Sequence, residues 1–132
     1  MDTIDMMYQE NILDHYKNPR NFGKMENASV HHHEYNPLCG DEIEMFLTID
    51  GNKKIVDVKF SGHGCAISQA SASMLTEQVK GKNIDELKTM TKENILEMLG
   101  IPLSPVRLKC GLLSLDTLKN SILIFERYVD NQ

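Results

Sequence analysis

Between Ile43 and Phe60 apolar and polar residues alternate, whereas before and after that stretch apolar residues recur every three or four positions. A period of two belongs to a half-buried strand and a spacing of three to four to one face of a helix. The chain is therefore expected to make an early sheet framed by helices. Ile43, Met45, Leu47 and Ile49 share one strand face, Asp50-Gly51 reads as a hairpin turn, and Val56, Val58 and Phe60 share a face on the return strand. Residues from Val30 to Tyr35 are expected to add a third strand. A first helix is expected from Ile4 to Tyr16 on Ile4, Met7, Tyr8, Ile12 and Tyr16, ended by Asn18-Pro19-Arg20-Asn21-Phe22-Gly23. Ala66 to Lys80 reads as a helix of small residues closed by Gly81. Asn83 with Glu86 has the form of a capping box, and Thr91 can cap the segment that stops at Gly100 and Pro102. The last and longest helix carries Leu112, Leu115, Leu118, Ile122, Phe125 and Val129, with Pro105 marking its boundary. The expected class is α+β: a small antiparallel sheet of about three strands, covered on one face by helices, with an N-terminal helix and a long C-terminal helix.

A chain of 132 residues is about one core's worth, so residues 1–132 are read as a single domain. With 41% apolar and 25% charged residues it can bury a core and is not a disordered tail. The net charge of −5 has the wrong sign for a surface that neutralises phosphates, which excludes nucleic acid as the expected partner. No apolar run approaches the length of a membrane span, and the acidic start Met1-Asp2-Thr3-Ile4-Asp5 does not resemble a secretory signal. The expected compartment is the cytoplasm. Thiols stay reduced there, so cysteines are read first as ligands or nucleophiles.

The three cysteines, Cys39, Cys65 and Cys110, all fall beside expected element boundaries and next to glycine. Cys65 and Cys110 are expected at helix N-termini, where unpaired N–H groups and the macrodipole lower a thiol pKa. Their spacing is too long for a paired zinc-finger or thioredoxin-like motif. Asp41, two residues past Cys39 across Gly40, can aim a carboxylate where the sulfur points. Three thiolates and one carboxylate make a four-ligand set suited to Zn²⁺ or to a [2Fe–2S] cluster. A hard carboxylate in place of a fourth thiolate weakens the hold on soft iron and eases release.

Asp14-His15-Tyr16-Lys17-Asn18-Pro19-Arg20-Asn21, Asn36-Pro37-Leu38-Cys39-Gly40-Asp41 and Gly62-His63-Gly64-Cys65-Ala66-Ile67-Ser68 resemble, in order and over nearly the whole chain, the IscU/SufU/NifU iron–sulfur scaffold family. The resemblance implies an assembly platform, not a turnover enzyme. It would receive iron, take sulfur from a cysteine desulfurase, and pass a transient [2Fe–2S] cluster to acceptor apo-proteins. It implies Cys39, Asp41, Cys65 and Cys110 as metal and cluster ligands. Cys110, flanked by Arg107 and Lys109, is the expected persulfide acceptor. Lys109 stands where IscU members carry a histidine, and Arg107-Leu108-Lys109-Cys110 with Ser71-Ala72-Ser73 is similar to SufU, although the segment between Cys65 and Cys110 has the shorter IscU length. The alternative is accordingly a zinc-bound sulfurtransfer partner of the desulfurase, with Zn²⁺ on the same four ligands. Leu103-Ser104-Pro105-Val106-Arg107 resembles the site by which IscU-type members engage a DnaK-like chaperone. Ser104 and Arg107 depart from that site, and the physical reading is an extended, proline-restricted lead into the last helix. In His31-His32-His33 only His31 and His33 can share a strand face, and the run reads as a solvated strand end. His63 reads as a loop side chain facing water, and His15 as packing near the end of the first helix.

Overall fold

The computed structural model describes residues 3–131. Its elements are α1 (Thr3–Lys17), β1 (Val30–Asn36), β2 (Asp41–Ile49), β3 (Ile55–His63), α2 (Ala66–Val79), α3 (Ile84–Leu87), α4 (Lys92–Leu99) and α5 (Pro105–Asp130). The class is α+β, as the periodicity implies. The strands form one antiparallel sheet in the order β1-β2-β3. Ile43, Met45, Leu47 and Ile49 are buried on one face of β2, and Val58 and Phe60 join them from β3. Helices α2 and α5 pack on that side. Among the described residues no helix is long and apolar enough to cross a membrane.

Two details of the hairpin depart from the sequence expectation. Ile49 pairs with Ile55 but Thr48 pairs with Asp57, so Val56 is an extra residue on β3. This bulge turns Ile55 inward, fully buried, and leaves Val56 exposed, because one inserted residue exchanges the two faces of a strand. The turn is also longer than Asp50-Gly51. The Asp50 carboxylate accepts hydrogen bonds from the N–H of Asn52 and of Lys54, both at 2.9 Å, and Lys53 takes the left-handed conformation at φ 65°.

Helix α2 is the central strut. From Ile67 to Thr76 every residue is buried, and small side chains let α1, α5 and β3 approach it closely. Its buried hydroxyls all find partners, as buried polar groups must. Ser68 donates to the Cys65 carbonyl at 3.1 Å, Ser71 to the Gly111 carbonyl at 2.8 Å and Thr76 to the Ser73 carbonyl at 2.7 Å. Ser73 accepts from the Arg20 N–H and bonds Nδ1 of buried His15, each at 2.8 Å, which ties α1 and the following loop to α2. Gly81 follows α2 with φ 87°, as a helix stop requires.

The first helix is narrower in its buried face than its apolar residues suggest. Ile12 and His15 are buried, whereas Met7 and Tyr16 are exposed; the side chain of Ile4 lies outside the described residues. Tyr8 rests on Gly100, whose absent Cβ would fall 2.2 Å from the tyrosine ring. Asn83 caps α3 by accepting from the Asp85 N–H at 2.9 Å, while Glu86 faces Lys82 instead of closing a capping box. On α5, Leu115, Leu118 and Ile122 are buried and Val129 is exposed. Pro105 does not precede this helix but opens it at its first position, where a missing N–H is harmless. Ser104 is its N-cap, accepting from the Arg107 N–H at 3.3 Å, so Val106 and Arg107 are already helical and not extended.

Candidate metal centre

One end of the sheet, the start of α2 and the second turn of α5 meet at the cysteines. Cys39 lies on the turn between β1 and β2. Asn36 builds that turn: its Oδ1 accepts from the Leu38 N–H at 3.1 Å, its carbonyl accepts from the Gly40 N–H at 2.9 Å, and its Nδ2 donates to Cys39 Sγ at 3.1 Å. Gly40 takes φ 69° to reverse the chain into β2. Asp41, the first residue of β2, points inward and is fully buried. Its Oδ1 accepts from the Cys65 N–H at 2.8 Å, and the Cys65 thiol lies 3.5 Å from its Oδ2. Gly64 makes room for this carboxylate: with φ 147° it turns the chain into α2, and a Cβ there would sit 2.2 Å from Asp41 Oδ1.

Cys65 is the N-cap of α2, as expected. Cys110 is not at a helix start. Because α5 begins at Pro105, Cys110 lies in the second turn, is buried, and has its amide inside the helical bonding pattern. The dipole argument for a lowered pKa therefore fails. Burial above all, then hydrogen bonds with Cys39, Asp41 and Cys65, push its thiol far above the ordinary value. Its Sγ is 2.9 Å from Cys39 Sγ. For Asp41, burial pushes the carboxyl up, but the Cys65 N–H and the thiols of Cys110, Cys39 and Cys65 outweigh it and leave the pKa below the ordinary value.

The structure thus brings the four sequence-predicted ligands to one place. Ligand atoms of Cys39, Asp41 and Cys110 lie within 4.8 Å of one another, and Cys65 adjoins them through Asp41. An ionised, fully buried carboxylate normally has a cationic partner, yet among the described residues no basic side chain is paired with Asp41. A carboxylate facing three thiols is a donor set that a soft divalent ion completes. Arg107 and Lys109 are exposed beside this centre, as are Leu38 and Val106, at 68% and 58%. Histidine 63 does not enter the centre. It sits at the end of β3 with Nε2 3.0 Å from Glu42 Oε2.

Residues 7–131 match the model of the NifU-like N terminal domain. The chain belongs to this family. Among similar proteins in the family is the zinc-dependent sulfurtransferase SufU of Bacillus subtilis, 38% identical over 91% of this chain and 92% of that protein. The iron–sulfur cluster assembly scaffold protein IscU of Escherichia coli is 36% identical over 89% of this chain and 92% of that protein. A crystal structure from Fervidobacterium islandicum, presented as a candidate scaffold for iron–sulfur cluster assembly in the SUF system, superposes with a TM-score of 0.77. Its sequence is 38% identical, with 89% of this chain and 97% of that chain covered. NifU-like members named both as scaffolds and as a sulfurtransferase thus stand at similar distances from this chain. The resemblance read from the motifs is the family found.

Asn36, present in the sequence reading only as part of the motif around Cys39, and Gly64, one of the glycines expected to flank the cysteines, are functional neighbours of the centre. Asn before Pro is a known turn starter and signals the first. Its place beside Cys65 signals the second as a close approach or a positive φ, and the group it makes room for, Asp41, is distant in the chain.

Proposed function

We propose that this chain is an assembly scaffold that builds a labile [2Fe–2S] cluster on Cys39, Asp41, Cys65 and Cys110 and passes it to apo-proteins. The observation that carries the reading is the convergence of three thiols on a buried carboxylate with no basic partner, at the edge of a surface that exposes apolar Leu38 and Val106 and cationic Arg107 and Lys109. Iron and sulfur are cargo. A cysteine desulfurase would supply sulfur as a persulfide: a scaffold thiolate attacks the terminal sulfur, the donor's S–S bond breaks, and the donor cysteine leaves as thiolate. An external reductant then converts the bound sulfur to sulfide. Cys110 was the expected acceptor, but it is buried and held protonated, whereas Cys39 is exposed. We therefore assign first contact to Cys39, whose Sγ lies 2.9 Å from Cys110 Sγ at the mouth of the pocket. The single carboxylate among the ligands suits cargo that must leave.

The test is anaerobic incubation with Fe²⁺, a cysteine desulfurase and cysteine. The scaffold reading requires protein-bound visible absorption with acid-labile sulfide; a colourless, folded product refutes it.

A second reading is favoured by the compactness of Cys39, Asp41 and Cys110, which suits one ion, and by similarity to a relative named as a zinc-dependent sulfurtransferase. Zn²⁺ on the same four side chains would keep the thiols ionised at neutral pH. Tight zinc and faster desulfurase turnover without cluster would select it.

A further inference from the structure

Three of the five histidines, His31, His33 and His63, stand on the solvent side of the sheet, opposite the core. Strand alternation sends Asp41 inward and Glu42 outward. The register sets His63 directly across from Glu42 on β3 and places His33 diagonally beside it on β1. Both imidazoles turn to this one carboxylate. His33 Nε2 meets Glu42 Oε1, and His63 Nε2 lies 3.0 Å from Glu42 Oε2. No lysine or arginine competes for Glu42 among the described residues. The three side chains are 46%, 36% and 72% exposed, so they support no buried group and leave the solvent side open.

We propose that His33, Glu42 and His63 form a second metal site, for a divalent first-row transition ion such as Zn²⁺, Co²⁺ or Fe²⁺. Two imidazoles and one carboxylate, with the remaining positions open to water, are a donor set these ions favour. The donors project from three paired strands, with the two imidazoles on different oxygens of Glu42, so a common ion requires His63 to turn from its present contact. The ion would replace the direct contact between His33 and Glu42, and His63, 72% exposed, would turn onto it. His31 is outside the site, because its ring stacks on Phe46 with centroids 5.8 Å apart and its Nδ1 faces Glu44 at 3.3 Å. The pair that cooperates is therefore His33 with His63, across the sheet, and not His31 with His33, the two that share a strand face within the run. The proposal uses none of the cysteines and stands or falls apart from the scaffold reading.

Calorimetric titration with Co²⁺ alone tests it on three variants of the full chain. The unaltered protein should take up one more equivalent than His33→Ala/His63→Ala, and His31→Ala should match the unaltered protein. The lost equivalent should lack the intense thiolate-to-cobalt absorption, since it has only nitrogen and oxygen donors. A Cys39→Ser/Cys65→Ser/Cys110→Ser variant should retain that equivalent; should this variant not fold, the comparison on the native cysteines decides alone. Equal stoichiometry and affinity in the unaltered and double-histidine proteins overturns the proposal, as does a lost equivalent that carries thiolate absorption.

Discussion

Gly64→Ala tests whether the carboxylate of Asp41 and the turn into α2 are one device. At φ 147° an alanine carries a backbone cost of about 1–3 kcal/mol. Its Cβ would also fall 2.2 Å from Asp41 Oδ1 and 2.9 Å from Asp41 Cα. The second contact is with backbone, so a rotation of the carboxylate cannot relieve it. Displacing the carboxylate also breaks its 2.8 Å bond to the Cys65 N–H, a hydrogen bond to a charged group, for about 1.5–3 kcal/mol more. The sum is about 2.5–6 kcal/mol, a large share of the roughly 5–15 kcal/mol that holds a domain folded. Gly40→Ala is the control. Gly40 also has positive φ, 69°, but nothing lies within 4 Å of its missing Cβ, so only the left-handed cost of about 1–2 kcal/mol applies. Urea unfolding followed by circular dichroism gives both values, provided the slopes agree, and Co²⁺ titration reads the thiol site in parallel. Gly64→Ala should lose about 1.5–3 kcal/mol more than Gly40→Ala and bind Co²⁺ at the thiol site more weakly. Equal losses with unchanged Co²⁺ binding would show that Asp41 and Gly64 are not mutually constrained.

Asp41→Ala should slow cluster release to an apo-protein, read as slower loss of the scaffold's visible absorption; an unchanged transfer rate removes Asp41 from the release step. Exposed Cys39 should react with iodoacetamide at pH 8 well before Cys110, whose thiol is buried and held protonated; mass spectrometry of peptides at early times checks the order, and Cys110 reacting first refutes it. Burial, reinforced by the charge of Arg20 and only partly offset by Glu77, lowers the His15 pKa from the ordinary 6.5. The unfolded chain therefore takes up this proton first, so the contribution is complete above pH 6.5 and is lost as pH falls through 6.5 toward the folded value. Urea midpoints should drop between pH 7.5 and 5.5, and His15→Gln should flatten that drop; an equal drop in the variant assigns it to other groups.

What was legible in the sequence were features that depend on neighbours in the chain. The alternation from Ile43 to Ile49 and the helical spacing of Leu115, Leu118 and Ile122 gave the right elements because burial on one side dictates them. The bulge at Val56 was not legible, since Ile55, Val56 and Val58 fit two registers equally until β2 chooses one. The depth of Cys110 was misread for a definable reason. Proline marks a helix boundary from either side, as a barrier before the helix or as its first residue, and the two placements differ by more than a turn at Cys110. The four side chains that converge were legible from the motifs, and the need for glycine at position 64 from its place beside Cys65, but the hold of Asn36 on its turn and the claim of Asp41 on the space at Gly64 exist only in the fold. The pairing of Glu42 with His33 and His63 likewise exists only once three strands are in register.

The burial of α2 along its length decides which side of the centre is rigid and which is accessible. Cys65 caps a helix wedged among α1, α5 and β3, and Cys110 is embedded in the second turn of another. Cys39 hangs on a short surface reversal tied down by a single asparagine. The centre thus has a rigid floor made by two packed helices and one rim, the turn that carries Cys39, open to solvent.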